Sequence, residues 1–191
     1  MNRGDRIEAP LVREGGRHVA TDWDTALDRL GQVMRGVTGE AVLLASGRAS
    51  TESLGLLMRL VERFDVTAAV QVPLGAEAPL PGIPGLALRR ERVPNLAGAQ
   101  LLGYSASWES ALAAAAAAAL VVVLDAEIGA AEEAALAAAA GVVVVLGTVA
   151  VDAIRLADLV LPVTNMAEET GTYVNRDRRL QRYHQAKSQP G

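Results

Sequence analysis

Cysteine is absent from this chain of 191 residues, and aromatic residues make up only 3% of it. The absence of cysteine excludes thiolate iron–sulfur sites, cysteine-based zinc sites and a cysteine nucleophile within this chain. Hydrophobic residues nevertheless reach 51%, so the core must be built from alanine, valine and leucine. Because alanine side chains are short, we expect helices that approach their sheet closely and a tightly packed core.

Long hydrophobic runs are missing as well. The apolar runs at 120–124 and 142–146 are far shorter than the roughly 20 residues that span a bilayer. Residues 1–6 contain no apolar segment of the kind found in a signal peptide. We therefore expect a cytoplasmic protein that does not insert directly into a membrane.

Positive charge is in short supply, because the net charge is -4 and the pI is about 5.3. Nucleic-acid binding requires a basic surface that neutralises phosphates, so no nucleic-acid partner is expected. One local exception is the run of four arginines (176, 178, 179 and 182), which together with Asp177 has a balance of +3. Such a run is typical of a solvated loop or of a contact with another subunit.

Catalytic and metal-binding signatures are also missing. The only two histidines, His18 and His184, lie near opposite ends of the chain and have no metal-ligand spacing. The sequence contains no GxSxG or HExxH motif, no GxGxxG and no P-loop lysine. It therefore identifies neither a catalytic residue nor a metal ligand in this chain.

Apolar runs alternate with helical patterns between residues 40 and 162. Continuous β-branched strands alternating with helices are typical of a mostly parallel sheet covered on both faces, so we predict a Rossmann-like α/β fold. Residues 99–103 are predicted as a strand end or a short turn, and the helix that begins at Ser50 or Thr51 is predicted to end near Phe64. The predicted strands are 40–45, 68–72, 120–124, 142–146 and 158–161.

The chain divides into three predicted regions. Residues 1–39 form an N-terminal β-hairpin appendage, turned at Gly15-Gly16, and a helix that Thr21 or Asp22 caps. Residues 40–162 form the α/β domain, which a loop rich in proline and glycine interrupts at 73–98. Residues 163–191 form a C-terminal loop and tail.

Polar residues follow the predicted strands at their carboxyl ends, where open α/β sheets bind their ligands. After the first strand, the free amides of the turn at 46–50 could cradle a phosphate that Arg48 clamps, and the alternative is a simple packing turn. Asp125 and Gly147 end the two most apolar strands, and Asp125 could accept ribose hydroxyls or cap the following helix. The polar loop after residue 162 completes this edge.

Two stretches carry a resemblance to a known family. Residues 6–27, with Pro10-Leu11-Val12-Arg13 and then Trp23-Asp24, resemble the part of molybdopterin-containing oxidoreductases that follows their N-terminal iron–sulfur region. Residues 157–162, Ala-Asp-Leu-Val-Leu-Pro, resemble the start of the same family's ADVVLP…E…GT…N…R.Q signature. The later positions of that signature are Glu168, Gly171, Thr172, Asn175, Arg179 and Gln181. Two matches in the family's order are more specific than either alone.

Within this superfamily, the chain resembles in particular the C-terminal region of the large iron–sulfur subunit of NADH-quinone oxidoreductase, the G chain of respiratory complex I. That region has kept the fold without the molybdenum cofactor, so the resemblance implies a structural role and no cofactor. Cofactor-holding members carry an Asp and several Thr ahead of the ADVVLP element. Here only Thr148 and Asp152 are polar between residues 147 and 153, so guanosine recognition is not expected.

The position of these residues and the resemblance together make ten of them candidates for a vestigial cofactor site. The candidates are Ser46, Gly47, Arg48, Ser50, Asp125, Thr148, Glu168, Gly171, Thr172 and Asn175. We expect Gly171 to adopt a positive φ and Asn175 to bond backbone groups. Glu168 and Glu169 are expected as charges on an exposed loop that pair with Arg178 or Arg179.

The leading hypothesis is a cofactor-free structural domain of an NADH-quinone oxidoreductase G subunit, which supports electron transport. Its partners are other subunits of a membrane-associated complex, which hold the redox centres and keep it on the cytoplasmic side of the inner membrane. One alternative is a fragment of a molybdopterin oxidoreductase that contributes to a bis-guanine-dinucleotide site. A second is a stand-alone nucleotide-binding domain, against which the missing GxGxxG counts. The chain is expected to be an excised or naturally short form.

Overall fold

A computed structural model describes residues 5–150 and 152–188 of the chain. Most of its strands join in one sheet, and a short 3₁₀ helix, Asp152–Leu156, precedes β9. The strands and helices are, in chain order, β1 Leu11–Glu14, β2 Arg17–Ala20, α1 Trp23–Gly36, β3 Glu40–Ser46, α2 Thr51–Leu60, β4 Asp65–Gln71, β5 Ala78–Pro79, β6 Ala87–Leu88, α3 Leu96–Leu101, α4 Trp108–Ala115, β7 Leu120–Leu124, α5 Ala130–Ala137, β8 Val142–Gly147, β9 Leu159–Pro162, β10 Gly171–Val174 and β11 Leu180–Tyr183.

The main sheet has seven strands in the order β2-β1-β9-β8-β7-β3-β4. The five strands from β9 to β4 are parallel, and β1 pairs antiparallel with both β9 and β2. The predicted α/β fold with a mostly parallel sheet is therefore confirmed. The predicted N-terminal hairpin is present too, and it extends the sheet beyond β9 through the pair Leu11 and Val160.

Helices cover both faces of the sheet, which explains why its strands are continuous apolar runs. Side chains alternate between the faces along β3, so Leu43 packs on one face and Leu44 on the other. The Leu43 face is covered by α1 and α2, and the Leu44 face by α4 and α5. None of the helices in the described part of the chain is long and apolar enough to cross a bilayer.

Three local predictions were wrong. Residues 99–103 lie in and after helix α3, Leu96–Leu101, and this helix stops before Gly103, whose φ of +98° suits a residue that follows a helix. Helix α2 ends at Leu60, short of Phe64. The region after residue 162 contains the hairpin of β10 and β11 in addition to loops.

Candidate functional site

The candidate crevice lies at the carboxyl ends of β3 and β7. From β3 the chain adds β4 on one side and later returns to place β7 on the other, so the direction of winding reverses between them. Ligands of open α/β sheets bind at such a reversal. Asp125 and the turn after Ser46 lie at this edge, as the sequence predicted from strand ends, and Thr148 follows the end of β8 beside them.

The turn at residues 46–50 uses its amides within the fold. The Gly47 amide donates to the Gln71 carbonyl at 3.3 Å, and the Arg48 amide donates to the Ser46 hydroxyl oxygen at 3.2 Å. The side chain of Val93 covers the turn, since a β-carbon built at Gly47 would lie 2.9 Å from the Val93 β-carbon. A phosphate would need both the free amides and the space that Val93 fills.

The N-terminus of α2 is bound by the chain itself. Ser50 is the N-cap, and its hydroxyl oxygen accepts the Ser53 amide at 3.2 Å. Glu52, in the first turn, accepts both the backbone amide and the hydroxyl of Thr172, each at 2.9 Å. Burial raises the pKa of Glu52, but these hydrogen bonds and the charge of Arg182 outweigh it and the pKa is lowered.

Arg48 faces the crevice but has an acidic partner. Its guanidinium lies 2.8 Å from Glu127 in an exposed ion pair, and its backbone carbonyl accepts the Tyr173 hydroxyl at 3.1 Å. The carbonyl therefore fastens strand β10, and the side chain is held at the surface by Glu127.

The Asp125 carboxylate bonds to Thr148, just after the neighbouring strand β8, and does not cap the following helix. Its carboxylate accepts the Thr148 hydroxyl at 2.8 Å and the Thr148 amide at 3.2 Å. The prediction that Asp125 caps the next helix was wrong, because Gly129 is the N-cap of α5. Burial raises the pKa of Asp125, and the Thr148 hydrogen bonds and the charges of Arg48 and Arg6 offset only part of that increase.

Glu168 is buried, with 2% of its surface exposed, and it pairs with an arginine from the other end of the chain. Arg6 donates to its two carboxylate oxygens at 3.2 and 2.7 Å, and the Asn165 amide donates at 3.1 Å. Burial raises the pKa of Glu168, but the hydrogen bond from the Asn165 amide and the hydrogen bonds and charge of Arg6 bring that pKa below its ordinary value. The expected exposed loop and the expected pairing with Arg178 or Arg179 were both wrong.

Gly171 is required for a close approach, not for a positive φ. It lies in strand β10 and is not among the glycines with positive φ, so that prediction was wrong. A β-carbon at this position would lie 2.6 Å from the Tyr183 hydroxyl and 2.9 Å from the Ser50 β-carbon. Asn175 does bond backbone groups, as predicted, because its side-chain oxygen accepts the amides of Asp177 and Arg179.

Asn95 is a central residue that the sequence analysis did not single out within the predicted loop at 73–98. It is fully buried, its amide donates to the Ala49 carbonyl at 2.9 Å, and its oxygen accepts the Val174 amide at 2.9 Å and the Thr51 hydroxyl at 3.2 Å. It thus joins the turn after β3, the start of α2 and strand β10. The sequence signal was the position of Asn95 after Pro94, at a helix start.

We call the hairpin β10–β11 together with these contacts the C-terminal clasp. It is fastened by Glu52, Asn95 and the carbonyl of Arg48, and internally by stacking of the Tyr173 and Tyr183 rings at 4.7 Å. The Tyr183 hydroxyl also donates to Glu169. Of the ten predicted site residues, Ser50, Gly171 and Thr172 meet in the clasp, whereas Asp125 and Thr148 pair with each other farther along the edge.

Two cavities remain at the carboxyl edge. One has a volume of 420 Å³ and reaches residues 162–166, and the other has 450 Å³ and reaches residues 145–150. Arg48 and Asp125 line both. No group of three or more His, Asp or Glu side chains among the described residues is arranged to hold a metal ion.

The model of the family described as molybdopterin oxidoreductase matches residues 86–191, more than half of the chain. The match includes α3, the strands β7 to β9 and the whole of β10–β11. A comparison with curated proteins finds no match.

Proposed function

The chain belongs to the molybdopterin oxidoreductase family, and from that premise we propose that it is a structural domain without cofactor. In this proposal it supports an electron-transfer complex, as the corresponding region of an NADH-quinone oxidoreductase G subunit. The redox centres lie on other subunits, since this chain has no cysteine to ligate an iron–sulfur cluster.

One observation carries the proposal: the groups expected to bind a guanine dinucleotide are used by the fold. Val93 fills the space over the Gly47 turn, and the first turn of α2 is occupied by Glu52 and Thr172. One carboxylate oxygen of Asp125, the candidate for ribose, accepts both the amide and the hydroxyl of Thr148. The cofactor of the family therefore does not fit the residues at this edge as they stand, and we derive no reaction step through it.

Analysis of molybdenum and pterin tests the proposal. The chain is expressed in a host that makes the molybdenum cofactor, and both components are quantified in the purified protein against a molybdoenzyme prepared in the same host. We expect far less than one equivalent of either component. A stoichiometric content of molybdenum or pterin would contradict a cofactor-free domain.

The two cavities beside Arg48 and Asp125 favour one second candidate, a fragment that contributes part of a guanine-dinucleotide site. Each cavity, at 420 and 450 Å³, is within the range of about 300–1,000 Å³ of small-molecule sites. Equilibrium dialysis with labelled GDP distinguishes the candidates. Binding that Arg48→Ala weakens and Arg29→Ala leaves unchanged would favour this second candidate, and no binding is the result expected for the structural domain.

The partners in this proposal are other subunits of the complex, which hold the domain on the cytoplasmic side of the inner membrane. What supports it is the absence of cysteine from the chain, because an iron–sulfur cluster of such a complex must then be held by another subunit. Fractionation of cells that express the tagged chain checks this. We expect the chain in the membrane fraction and its release by high salt, because salt screens the exposed charges of a polar contact between subunits.

A further inference from the structure

A second polar region lies between the proline-rich loop and the C-terminal clasp, and Asn175 is the one predicted site residue that lines it. It is a groove of 670 Å³ that arginines from two distant segments line, Arg89 and Arg90 on one side and Arg176 and Arg178 on the other. We call it the arginine groove. More than eighty residues separate the two segments in sequence, and the fold brings them to one surface.

The arginine groove is basic on an acidic protein. Segments 77–92 and 173–182 contain seven arginines and three carboxylates, a balance of +4, whereas the whole chain carries -4. Arg89 lies 3.1 Å from Glu77, and Arg176 lies 3.4 Å from Asp177. The side chains of Arg90 and Arg178 are exposed and make no hydrogen bond or ion pair with any residue that the structure describes. The positive charges of Arg90 and Arg178 can therefore pair with a ligand from outside the described structure.

Arg178 occupies a position that the fold does not favour for arginine. Its φ is +59°, in the left-handed region that glycine and asparagine adopt with the least steric strain. The Asp177 and Arg179 amides donate to the Asn175 side-chain oxygen and hold this turn in place. A strained residue with an exposed and unpaired charge contributes little to stability, which points to a role at the surface.

From these observations we infer that the arginine groove binds an acidic, partly apolar segment of a partner protein. The inference rests on the proposed function only in taking the chain to be a subunit of a complex. Half-buried Val93 and Leu96 line the groove along with the arginines, and exposed Ile83, Leu86 and Leu88 lie on the same loop. Arginine is enriched at protein interfaces, and the buried core of an interface is more apolar than the rest of the surface.

A nucleic acid fits the arginine groove less well. Glu77 and Glu91 also line it, and they would repel a continuous phosphate backbone. Tyr173, the aromatic residue of the lining, is stacked on Tyr183 and nearly buried, so it does not offer a face to a base. A peptide can place carboxylates against the arginines and other side chains against the two glutamates.

Fluorescence anisotropy with a labelled peptide of repeated Glu-Glu-Leu triplets tests the inference on the full chain. We expect binding at low ionic strength that weakens as salt is added. The charge-reversed variant Arg90→Glu/Arg178→Glu should weaken it by about tenfold or more. The matched variant Arg29→Glu/Arg59→Glu, which makes the same change of charge on exposed helix positions elsewhere, should retain binding within about twofold of wild type.

Arg178→Gly separates binding from folding. Glycine suits a φ of +59°, so the melting temperature should stay the same or rise while affinity for the acidic peptide falls. No peptide binding by wild type, equal losses in both charge-reversed variants, or tighter binding of a poly(U) oligonucleotide would overturn the inference. GDP binding in the dialysis experiment concerns the crevice, and it would contradict the cofactor-free function without changing the result at the arginine groove.

Discussion

The two polar regions of this molecule differ in whether their charged side chains are bonded to the rest of the protein. In the crevice at the carboxyl ends of β3 and β7, the polar side chains of Glu52, Asp125 and Glu168 are bonded to other parts of the chain. In the arginine groove, Arg90 and Arg178 have no side-chain partner among the described residues. The crevice lies where the fold places ligands, but its polar groups stabilise the protein. The groove has no such position, but two of its four arginines, Arg90 and Arg178, have charges that no described residue pairs.

A position in the fold identifies a binding site only if the polar groups there are not already bonded within the protein. Free polar groups gain from a ligand, whereas bonded groups must first give up their partners. Substitutions in the crevice should therefore reduce stability, and substitutions in the groove should change binding.

Gly171→Val should destabilise the protein most, by about 4 kcal/mol, because the added side chain meets Tyr183 and Ser50 in a packed region. Urea denaturation monitored by circular dichroism measures it. Gly36→Val is the matched control, since a β-carbon there has no neighbour within 4 Å, and its effect should be small. Similar stability of the Gly171 and Gly36 variants would show that the clasp is not packed as described.

Asn95→Ala should cost about 3 kcal/mol, because it leaves the Val174 amide and the Ala49 carbonyl buried without their partner. The same denaturation experiment measures it, and hydrogen exchange of the Val174 amide should become faster. Gln32→Ala, at an exposed helix position, is the control. A loss below about 1 kcal/mol would mean that Asn95 does not fasten the clasp.

Glu168→Gln should cost about 2 kcal/mol at neutral pH, because the charged hydrogen bonds to Arg6 are weakened. The pKa of Glu168 is lowered in the folded protein. Its ionised form therefore adds stability above the pKa of the unfolded chain, and that stability is lost as pH falls through the folded pKa. Denaturation across acidic pH should show wild type and variant converging, and a constant difference would contradict the pairing.

Arg48→Ala should have the smallest effect, about 0.5 kcal/mol or less, because its ion pair with Glu127 is exposed. The backbone carbonyl that accepts the Tyr173 hydroxyl is unchanged by the substitution. Thermal denaturation at low and high salt measures the effect, which should disappear at high salt. A loss as large as that of Asn95→Ala would place the Arg48 side chain in the clasp.

Much of the fold could be predicted from the sequence because its signals are local. The β-branched runs gave the strands, and Asp22 and Ser50 gave helix starts that their side-chain caps confirm. The position of the crevice followed from the strand ends. Short elements were missed, such as α3, whose Gly98 lowers its helical propensity but is needed where the chain packs against Asn95.

The contacts within the site could not be predicted, because they join distant parts of the chain. Arg6 and Glu168 are 162 residues apart, and Glu52 and Thr172 are 120 residues apart. No spacing rule relates such pairs, so Glu168 was expected on an exposed loop and Gly171 at a positive φ. Both errors have the same cause: the sequence shows the type of each residue but not which distant residues the fold brings against it.

The free energy of unfolding with and without GDP shows whether the crevice binds a guanine nucleotide. A ligand that binds only the native state adds RT ln(1 + [L]/Kd), about 2.7 kcal/mol when its concentration is a hundredfold above Kd. A domain whose crevice groups serve the fold should unfold with the same free energy in both conditions. A free energy that rises with GDP concentration in wild type, and does not rise in Arg48→Ala, would contradict the cofactor-free assignment.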